Sequence, residues 1–432
     1  MKLSLLSSML LSILLSMLLS IVHLSAQPVR NGPLPGPLPL FPPDNWWNVD
    51  VSEAPVDPAS ASFIEFIGTS RALHPDLGGD TGMDEPLTYG MIYIVVPGSQ
   101  PLVPVSFDYA DESDYAAPGR PPGYPIPEEA KSQTRWIEGG MPGNDLDTGG
   151  DRHMLIVDRD RRILYELFDV DWESSHWRAG SGAIFPLDSN LRRPDGWTSA
   201  DAAGLAILPG LIRYDEVYGD EPILHAFRFT VRATNGYVYP ASHRAGSTSG
   251  ALPMGARLRL KAGKDISGYP APVHRIFQAM KTYGLIVADN GSDMYITGTY
   301  DTRWDNDLLN PAFRSLKASD FEVIELGWQP EDEPPCIAPT IAQQPQDLTV
   351  SLGNGATLSV AVSGTSPFSY QWYEGLPGER DRPVADADQS TLVVFPARTT
   401  RYWVRANGVC GTVDSDGATV TVQPVRSRAA RR

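Results

Sequence analysis

The stretch of sequence that decides the fold is His153-Met-Leu-Ile-Val-Asp-Arg-Asp-Arg-Arg-Ile-Leu-Tyr-Glu-Leu-Phe168. Two apolar runs, 153–157 and 163–168, stand on either side of a charged turn at 158–162. Short runs rich in Ile, Val, Leu and aromatic residues around a polar turn are typical of a β-hairpin. We therefore predict a hairpin here, within a β-rich domain.

The sequence around the hairpin predicts more strands than helices. Short helices are expected at 60–67 and 273–280, with Gly284 as a C-terminal cap for the second. The chain has 39 glycines and 39 prolines, which favour turns over long helices. The predicted fold is mainly β: a large β-sandwich or jelly roll over 41–328, with few short helices. Its further strands are predicted at 91–96, 102–107, 224–231, 256–261 and 285–288.

Beyond a linker at 329–335, the sequence changes to short strands at regular spacing. Trp372 lies in one of them, and Tyr402 stands two residues before Val404 in another. This pattern, over 336–424, resembles a bacterial immunoglobulin-like domain with its core tryptophan and its tyrosine corner. The resemblance implies a second, smaller β-sandwich, and such modules usually serve as spacers or weak binders. Its strands are predicted at 348–350, 356–362, 369–373, 391–395, 400–405 and 419–422.

The first residues predict export. Lys2 precedes an apolar run at 3–22, and Ser25-Ala26 offers the small residues that a signal peptidase requires. We expect a signal peptide at 1–26, followed by a proline-rich lead-in at 27–40. The mature protein is then expected to be secreted into the extracellular space, monomeric and without a membrane span.

Charge and cysteine content narrow the possible functions. The net charge of −17 makes nucleic acid an unsuitable partner, because phosphate binding requires a cationic surface. The only cysteines, Cys336 and Cys410, are expected to form one disulfide after export. The large domain has no cysteine, which excludes thiol nucleophiles and thiolate metal sites there. A short basic tail, 425–432, ends the chain.

Ten segments of the large domain form a recognisable set: FPPDNWWNVDVSEAPVDP, GDRHMLIVDRD, RILYELFD, AGSGAIF, RPDGWTSADAAGLAILPGLIRYDEV, HAFRFTV, YPASHRAGS, MGARLRLKA, DISGY and YGLIVADNGS. With these segments, the domain resembles a family of secreted bacterial proteins of unassigned activity. The resemblance implies the extent of the domain and assigns no catalytic residue.

Paired carboxylates are the first catalytic hypothesis. Read as a strand, 210–217 would hold Asp215 and Glu216 beside Arg213 and Tyr214, two candidate substrate-binding residues. Glycoside hydrolysis uses one carboxyl group as a proton donor and another as base or nucleophile. The alternative is a charge pair at a strand end. A second set of acids in the hairpin region comprises Glu166, Asp169 and Asp171.

Histidines and a polar turn complete this hypothesis. His243 and His153 stand at a loop and at a strand start, where a rigid sheet can position an imidazole for proton transfer. Asp289 could be the second carboxylate. The residues expected to bind substrate, a polysaccharide or cell-surface glycan, also include Asn290, Trp197, Arg244 and Trp304.

Two other functions stay open. A uronate-type polysaccharide lyase would use a basic sheet face to neutralise a carboxylate, with His243 and Tyr237 or Tyr239 abstracting a proton. That face comprises Arg257, Arg259 and Lys261, with Arg228. The other function is a non-catalytic carbohydrate-binding or adhesion protein.

No cofactor is predicted. The one metal hypothesis is structural calcium in the loop 144–151, where oxygen ligands stand close together. The candidate ligands there are Asp145, Asp147 and Asp151, and the alternative is a solvated acidic loop.

Overall fold

The structure is a computed structural model that describes residues 27–82, 87–114, 123–145, 150–330, 337–408 and 410–424. The predicted signal peptide and basic tail lie outside these residues. The chain divides into a large unit, formed by residues up to Phe41 and Asn45–Gln329, and a small unit, formed by Pro42–Asp44 and the residues from Pro330 onward. Across the described residues, no helix combines the length and apolar character that a bilayer crossing demands.

The large unit is mainly β, as predicted. Its strands are β1 Val29–Arg30, β2 His74–Asp76, β3 Gly79–Asp80, β4 Thr88–Tyr89, β5 Tyr93–Val96, β6 Val105–Phe107, β7 Met154–Asp158, β8 Ile163–Phe168, β9 Asp171–Glu173, β10 His176–Ala179, β11 Ser181–Pro186, β12 Phe227–Val231, β13 Arg257–Leu260, β14 Leu285–Asn290, β15 Tyr295–Thr297 and β16 Phe321–Val323. The described α-helices are α1 Ser60–Ile67, α2 Tyr214–Val217, α3 Ala271–Thr282 and α4 Asn306–Ser315.

The predicted hairpin is confirmed as β7 and β8, which pair antiparallel from Met154 opposite Leu167 to Asp158 opposite Ile163. They lie in a five-stranded sheet of order β1-β5-β7-β8-β11, in which β5 and β7 are parallel. Every residue of β7 is buried, because alternate side chains enter two different apolar cores on opposite faces. Burial on both faces explains why β7 reads as an unbroken apolar run.

A second sheet of six strands, β16-β13-β14-β12-β15-β2, supports the other half of the large unit. The predicted helices at 60–67 and 273–280 are confirmed as α1 and α3. Val273, Ile276 and Phe277 of α3 are fully buried in the core of this half. Gly284 has φ +75° just after α3, in the left-handed region that glycine adopts readily.

The small unit is an immunoglobulin-like β-sandwich. Trp372 is completely buried and lies opposite Val404, and Tyr402 is also buried. Cys410 lies between the strands Thr400–Gly408 and Gly411–Asp414, whereas Cys336 lies outside the described residues, so the disulfide stays a prediction. The strands are β17 Thr340–Gln343, β18 Leu348–Ser351, β19 Ala356–Ser359, β20 Ala361–Ser363, β21 Phe368–Glu374, β22 Thr391–Val394, β23 Thr400–Gly408, β24 Gly411–Asp414 and β25 Ala418–Gln423.

Candidate functional site

Seven ionisable side chains from separate segments of the large unit form one cluster with a guanidinium at its centre. Their charges act on one another, as the pKa shifts below describe. We name them the Arg228 group, which comprises Asp76 on β2, Glu138, His153 at the start of β7, Glu166 on β8, Asp201, Arg228 on β12 and Asp289 on β14.

The centre of the group is a buried ion pair. Arg228 Nε and Nη2 donate to the two carboxylate oxygens of Asp201 at 2.9 and 2.8 Å, a bidentate geometry. Arg228 Nη1 donates to Thr297 Oγ1 at 2.7 Å. Only 4% of the Arg228 side chain and none of that of Asp201 is exposed. This guanidinium is therefore occupied by the protein itself.

A second ion pair joins His153 to Glu138. His153 Nδ1 donates to Glu138 Oε2 at 2.5 Å, and Nε2 donates to the Ala200 carbonyl oxygen at 2.9 Å. Burial alone would lower the pKa of His153, but the charge and hydrogen bond of Glu138 raise it to about 9. Burial alone would raise the pKa of Glu138, but His153 holds it below its usual range. Glu138 is therefore an ionised carboxylate, and its side chain is 22% exposed.

Asp289 differs from Glu138 in that its pKa is raised, not lowered. Burial, followed by the negative charge of Asp201, raises the pKa of Asp289 to about 6, although Arg228 and the backbone N–H of Asn290 act against this shift. Asp289 Oδ2 lies 3.8 Å from Arg228 Nη2, and 28% of the side chain is exposed. Asp289 therefore holds a proton at mildly acidic pH while remaining accessible.

Asp76 shares this environment. The pKa of Asp76 is raised overall, mainly by burial and also by the charge of Glu138, although His74 and Arg228 act to lower it. The partly exposed acids of the group thus divide into Glu138, which ionises readily, and Asp76 and Asp289, which resist ionisation. A carboxylic acid beside an ionised carboxylate can supply both a proton donor and a base.

Glu166 is the fully enclosed member. Its carboxylate accepts hydrogen bonds from the backbone N–H groups of Ile207, at 2.8 and 3.0 Å, and Leu208, at 2.9 Å. Burial raises the pKa of Glu166 to about 7, against the effect of these hydrogen bonds. With no exposed surface, Glu166 fixes the turn at 207–210 and does not face a substrate.

Several predicted residues border the Arg228 group. His243 Nδ1 donates to the carbonyl oxygen of Ala202, the residue after Asp201, at 2.9 Å. Its Nε2 lies 4.0 Å from Glu112 Oε2, and 28% of the ring is exposed. Asn290 follows Asp289 directly and donates from Nδ2 to the Ala245 carbonyl oxygen at 3.0 Å.

Two more predicted binding residues lie on the surface of the same half. Trp197 is half-buried, and the Arg193 guanidinium lies 5.4 Å from its ring centroid. Arg244, next to His243, is exposed. Both residues are accessible to a ligand.

The predicted pair Asp215 and Glu216 lies in a different group. The expected strand at 210–217 is wrong, because Tyr214–Val217 forms the short helix α2. Glu216 Oε2 lies 2.6 Å from Arg213 Nη2, and both Glu216 oxygens lie within 3.2 Å of His225 Nε2. Burial acts to raise the pKa of Glu216, but Arg213 and His225 lower it. Asp215 is 65% exposed.

This Arg213 group, comprising Arg213, Asp215, Glu216 and His225, is separate from the Arg228 group. Among the residues that the structure describes, no hydrogen bond or ion pair joins the two groups. Direct contacts therefore do not join Asp215 or Glu216 to His243 and Asp289 in the described part of the chain. The engaged side chains of Arg213 and Glu216 fix α2 in place.

Two predicted sugar-binding aromatics are packing residues. Trp304 is only 6% exposed, and its indole N–H donates to the Thr299 carbonyl oxygen. Tyr214 stacks on Tyr218 with ring centroids 4.5 Å apart. The Arg303 guanidinium lies 4.0 Å from the centroid of the Tyr214 ring. Trp304 therefore offers no open face to a sugar ring.

The predicted basic sheet face is also corrected, because each of its cations has a partner. Arg257 is buried and donates to the Trp46 carbonyl oxygen. Arg259 pairs with Glu322 at 2.7 Å, and Lys261 donates to the Ser319 carbonyl oxygen at 2.8 Å. Arg228 is likewise bound by Asp201, so none of these four cations is free to neutralise the carboxylate of a uronate.

The calcium hypothesis gains no support. Asp145 and Asp151 are described and Asp147 is not. Within the described ranges, no cluster of three His, Cys, Asp or Glu side chains could hold a metal ion.

Sequence reasoning missed Glu138, Asp201 and Asp76 as site residues. The sequence marks only Arg228 and Glu166 as members of a buried polar cluster, because each is a charged residue within an apolar run, 227–229 and 165–168. A charged residue inside a buried strand requires a partner, which the rest of the chain must supply.

No protein-family model matches the chain, and no curated protein matches it. Among solved structures, the chain is similar to a chimeric titin Z1Z2 carrying a KLER peptide from decorin, at 22% identity and a TM-score of 0.17, over 20% of this chain and 96% of that chain. It is also similar to Sidekick-1 immunoglobulin domains 1-5, at 23% identity and a TM-score of 0.18, over 21% of this chain and 20% of that chain. Similarity at this level says nothing about the chemistry of the large unit.

Proposed function

We propose that the large unit is a secreted hydrolase that cleaves glycosidic bonds in a polysaccharide, with Asp289 and Glu138 as the reacting carboxyl groups. The observation that carries the proposal is the contrast between these two partly exposed acids, whose charges both act on Arg228. The pKa of Asp289 is raised to about 6, whereas that of Glu138 is held below its usual range. The proposal replaces Asp215 and Glu216 with Glu138 and retains Asp289.

Each carboxyl group has a role that its environment supports. Asp289, protonated at mildly acidic pH, donates its proton to the oxygen that leaves when the glycosidic bond breaks. Glu138, ionised, either takes a proton from the attacking water or attacks the sugar carbon itself. His153 is a positioning residue, because its two ring N–H groups are engaged by Glu138 and Ala200.

Neighbouring groups support a carbohydrate substrate. The half-buried ring of Trp197 and the exposed imidazole edge of His243 border the Arg228 group and offer stacking and hydrogen-bonding surface. The lyase alternative is less well supported. Arg228, Arg257 and Arg259, which would neutralise a uronate, are all engaged by the protein.

The test is hydrolysis of a panel of neutral and acidic polysaccharides by the full chain, measured as new reducing ends. We expect Asp289→Asn and Glu138→Gln each to lower kcat by at least ~100-fold, because each removes a proton-transfer group. The matched control is Asp215→Asn, an exposed acid of the Arg213 group, which should retain wild-type activity.

Three outcomes would contradict the proposal. Full activity in Asp289→Asn would show that Asp289 is not the proton donor. Unsaturated products, detected by their ultraviolet absorbance, would favour a lyase. Absence of any cleavage, together with retention of the protein in polysaccharide affinity gels, would favour a binding protein. Thermal unfolding of each variant separates loss of activity from loss of fold.

A further inference from the structure

A pocket of about 460 Å³ in the large unit is lined by basic side chains, although the chain as a whole is acidic. Arg71, Arg232, Arg314 and His74 contribute to its wall. The rest of the wall includes the turn at 291–293 and Tyr295. Such a concentration of cations is notable in a protein with a net charge of −17.

Two of these guanidinium groups have no partner in the part of the chain that the structure describes. In the described residues of 27–330, every lysine and arginine side chain other than Arg71, Arg244 and Arg314 has a hydrogen bond or an ion pair. Arg71 and Arg314 both line this pocket. Their donors are therefore available to a ligand.

The backbone explains why the two arginines meet. Leu73 N donates to the Leu316 carbonyl oxygen, and Ala318 N donates to that of Arg71, so the segment before β2 runs beside the end of α4. Arg314 lies in the last turn of α4. This pairing holds two like charges at the rim of one concavity, an arrangement that a bound anion would stabilise.

The other lining residues do not neutralise these charges. Asp293, the one acid in the wall, already pairs with Arg232. His74 stacks on Tyr295 with ring centroids 4.2 Å apart. The net charge presented to a ligand is therefore positive, from Arg71 and Arg314.

We propose that this pocket binds an oxyanion, a carboxylate or a sulfate, carried by a larger ligand. Planar guanidinium groups donate pairs of N–H bonds that match the oxygens of either group. The turn at 291–293 and the His74 ring complete the wall around the anion.

The position of the pocket indicates where the rest of the ligand would extend, a step that rests on the proposed function. His74 and Asp76 are two residues apart on β2, so their side chains leave the same face of the strand. The pocket turn also directly follows Asp289 and Asn290 at the end of β14. A uronate or sulfated sugar seated in the pocket would place its neighbouring residue of the same polysaccharide towards the Arg228 group.

The test is calorimetric titration of the full-length protein with sodium sulfate and, separately, with galacturonate, at ionic strength held constant with chloride. We expect saturable binding of at least one probe, and the stronger probe identifies the group. Arg71→Ala and Arg314→Ala should each weaken binding about tenfold or more. The matched control, Arg380→Ala, removes the same charge from an exposed site in the small unit, outside the pocket, and should bind as wild type.

Absence of saturable binding, or equal binding by wild type and Arg71→Ala, would overturn the proposal, as would an equal loss of binding in Arg380→Ala. Thermal unfolding shows whether each variant is folded. Hydrolysis assays on neutral and acidic polysaccharides separate the two proposals: an anion site can exist without hydrolysis, and hydrolysis unaffected by Arg71→Ala would leave the proposed catalytic pair intact.

Discussion

The pair formed by His153 and Glu138 is the residue-scale feature with the widest consequences. An imidazolium that is 4% exposed is tolerated because both ring N–H groups meet oxygen acceptors, one of them ionised. The same contacts hold Glu138 in its ionised form. Removing either partner would take away the contact that keeps the other in its charged form.

This pair should make the stability of the large unit depend on pH. The folded-state pKa of His153, about 9, lies above the ordinary 6.5, so its stabilising effect is complete below pH 6.5 and is lost as pH rises through 9. That loss corresponds to roughly 3 kcal/mol of unfolding free energy. Glu138, whose pKa is lowered, contributes above its ordinary 4.5 and loses this effect as pH falls through its folded-state pKa.

Chemical unfolding of wild type and His153→Gln at several pH values between 6 and 10 measures this effect. The difference in unfolding free energy between the two proteins should shrink across that interval. A difference that stays constant with pH would show that the imidazole is not charged in the folded protein.

At the scale of elements, local patterns predicted those segments whose partners are near in sequence. The β7–β8 hairpin, α1 and α3 follow from apolar periodicity and turn residues. The strand expected at 210–217 is wrong because Arg213 N donates to Glu216 Oε1 and the chain closes into one helical turn. Helix α4 was not predicted, although Asp305 caps it by accepting from Leu308 N at 3.0 Å.

The end of α3 provides a test at this scale. Gly284 has φ +75°, and a Cβ there would lie against the Leu258 carbonyl oxygen, inside van der Waals contact. Gly284→Ala should therefore lower the unfolding free energy by about 1 kcal/mol or more. Gly263→Ala is the control, because an added Cβ there meets no atom within 4 Å. Denaturant titrations that show equal effects for both variants would refute the backbone argument.

At the scale of the whole molecule, the sequence predicts the mainly β class and the immunoglobulin-like unit, but not how the strands of the large unit are ordered. The parallel pairs β5–β7 and β12–β14 join segments that are far apart in the chain. The Arg228 group depends on this order, because its members come from β2, β7, β8, β12 and β14 and intervening loops. No local pattern specifies such an assembly, which is why Glu138 and Asp201 were missed.

Each unit has its own apolar core, so each should unfold as its own cooperative step. Trp372 is completely buried in the core of the small unit. Trp372→Ala should lower the stability of that unit by about 3–5 kcal/mol and leave the transition of the large unit unchanged. Differential scanning calorimetry resolves the two transitions, and a shift of both would contradict the prediction.

One pairing in the small unit also determines how it would respond to mechanical tension. The early strand β18 and the final strand β25 lie side by side and parallel, from Leu348 opposite Val420 to Ser351 opposite Gln423. Once tension has detached β17, which precedes β18 and pairs with β20, it pulls β18 backward from its start and β25 forward from its end. The two strands are then sheared along their length, and their evenly spaced hydrogen bonds resist together instead of opening one after another. This parallel pairing should therefore supply much of the small unit's resistance to stretching.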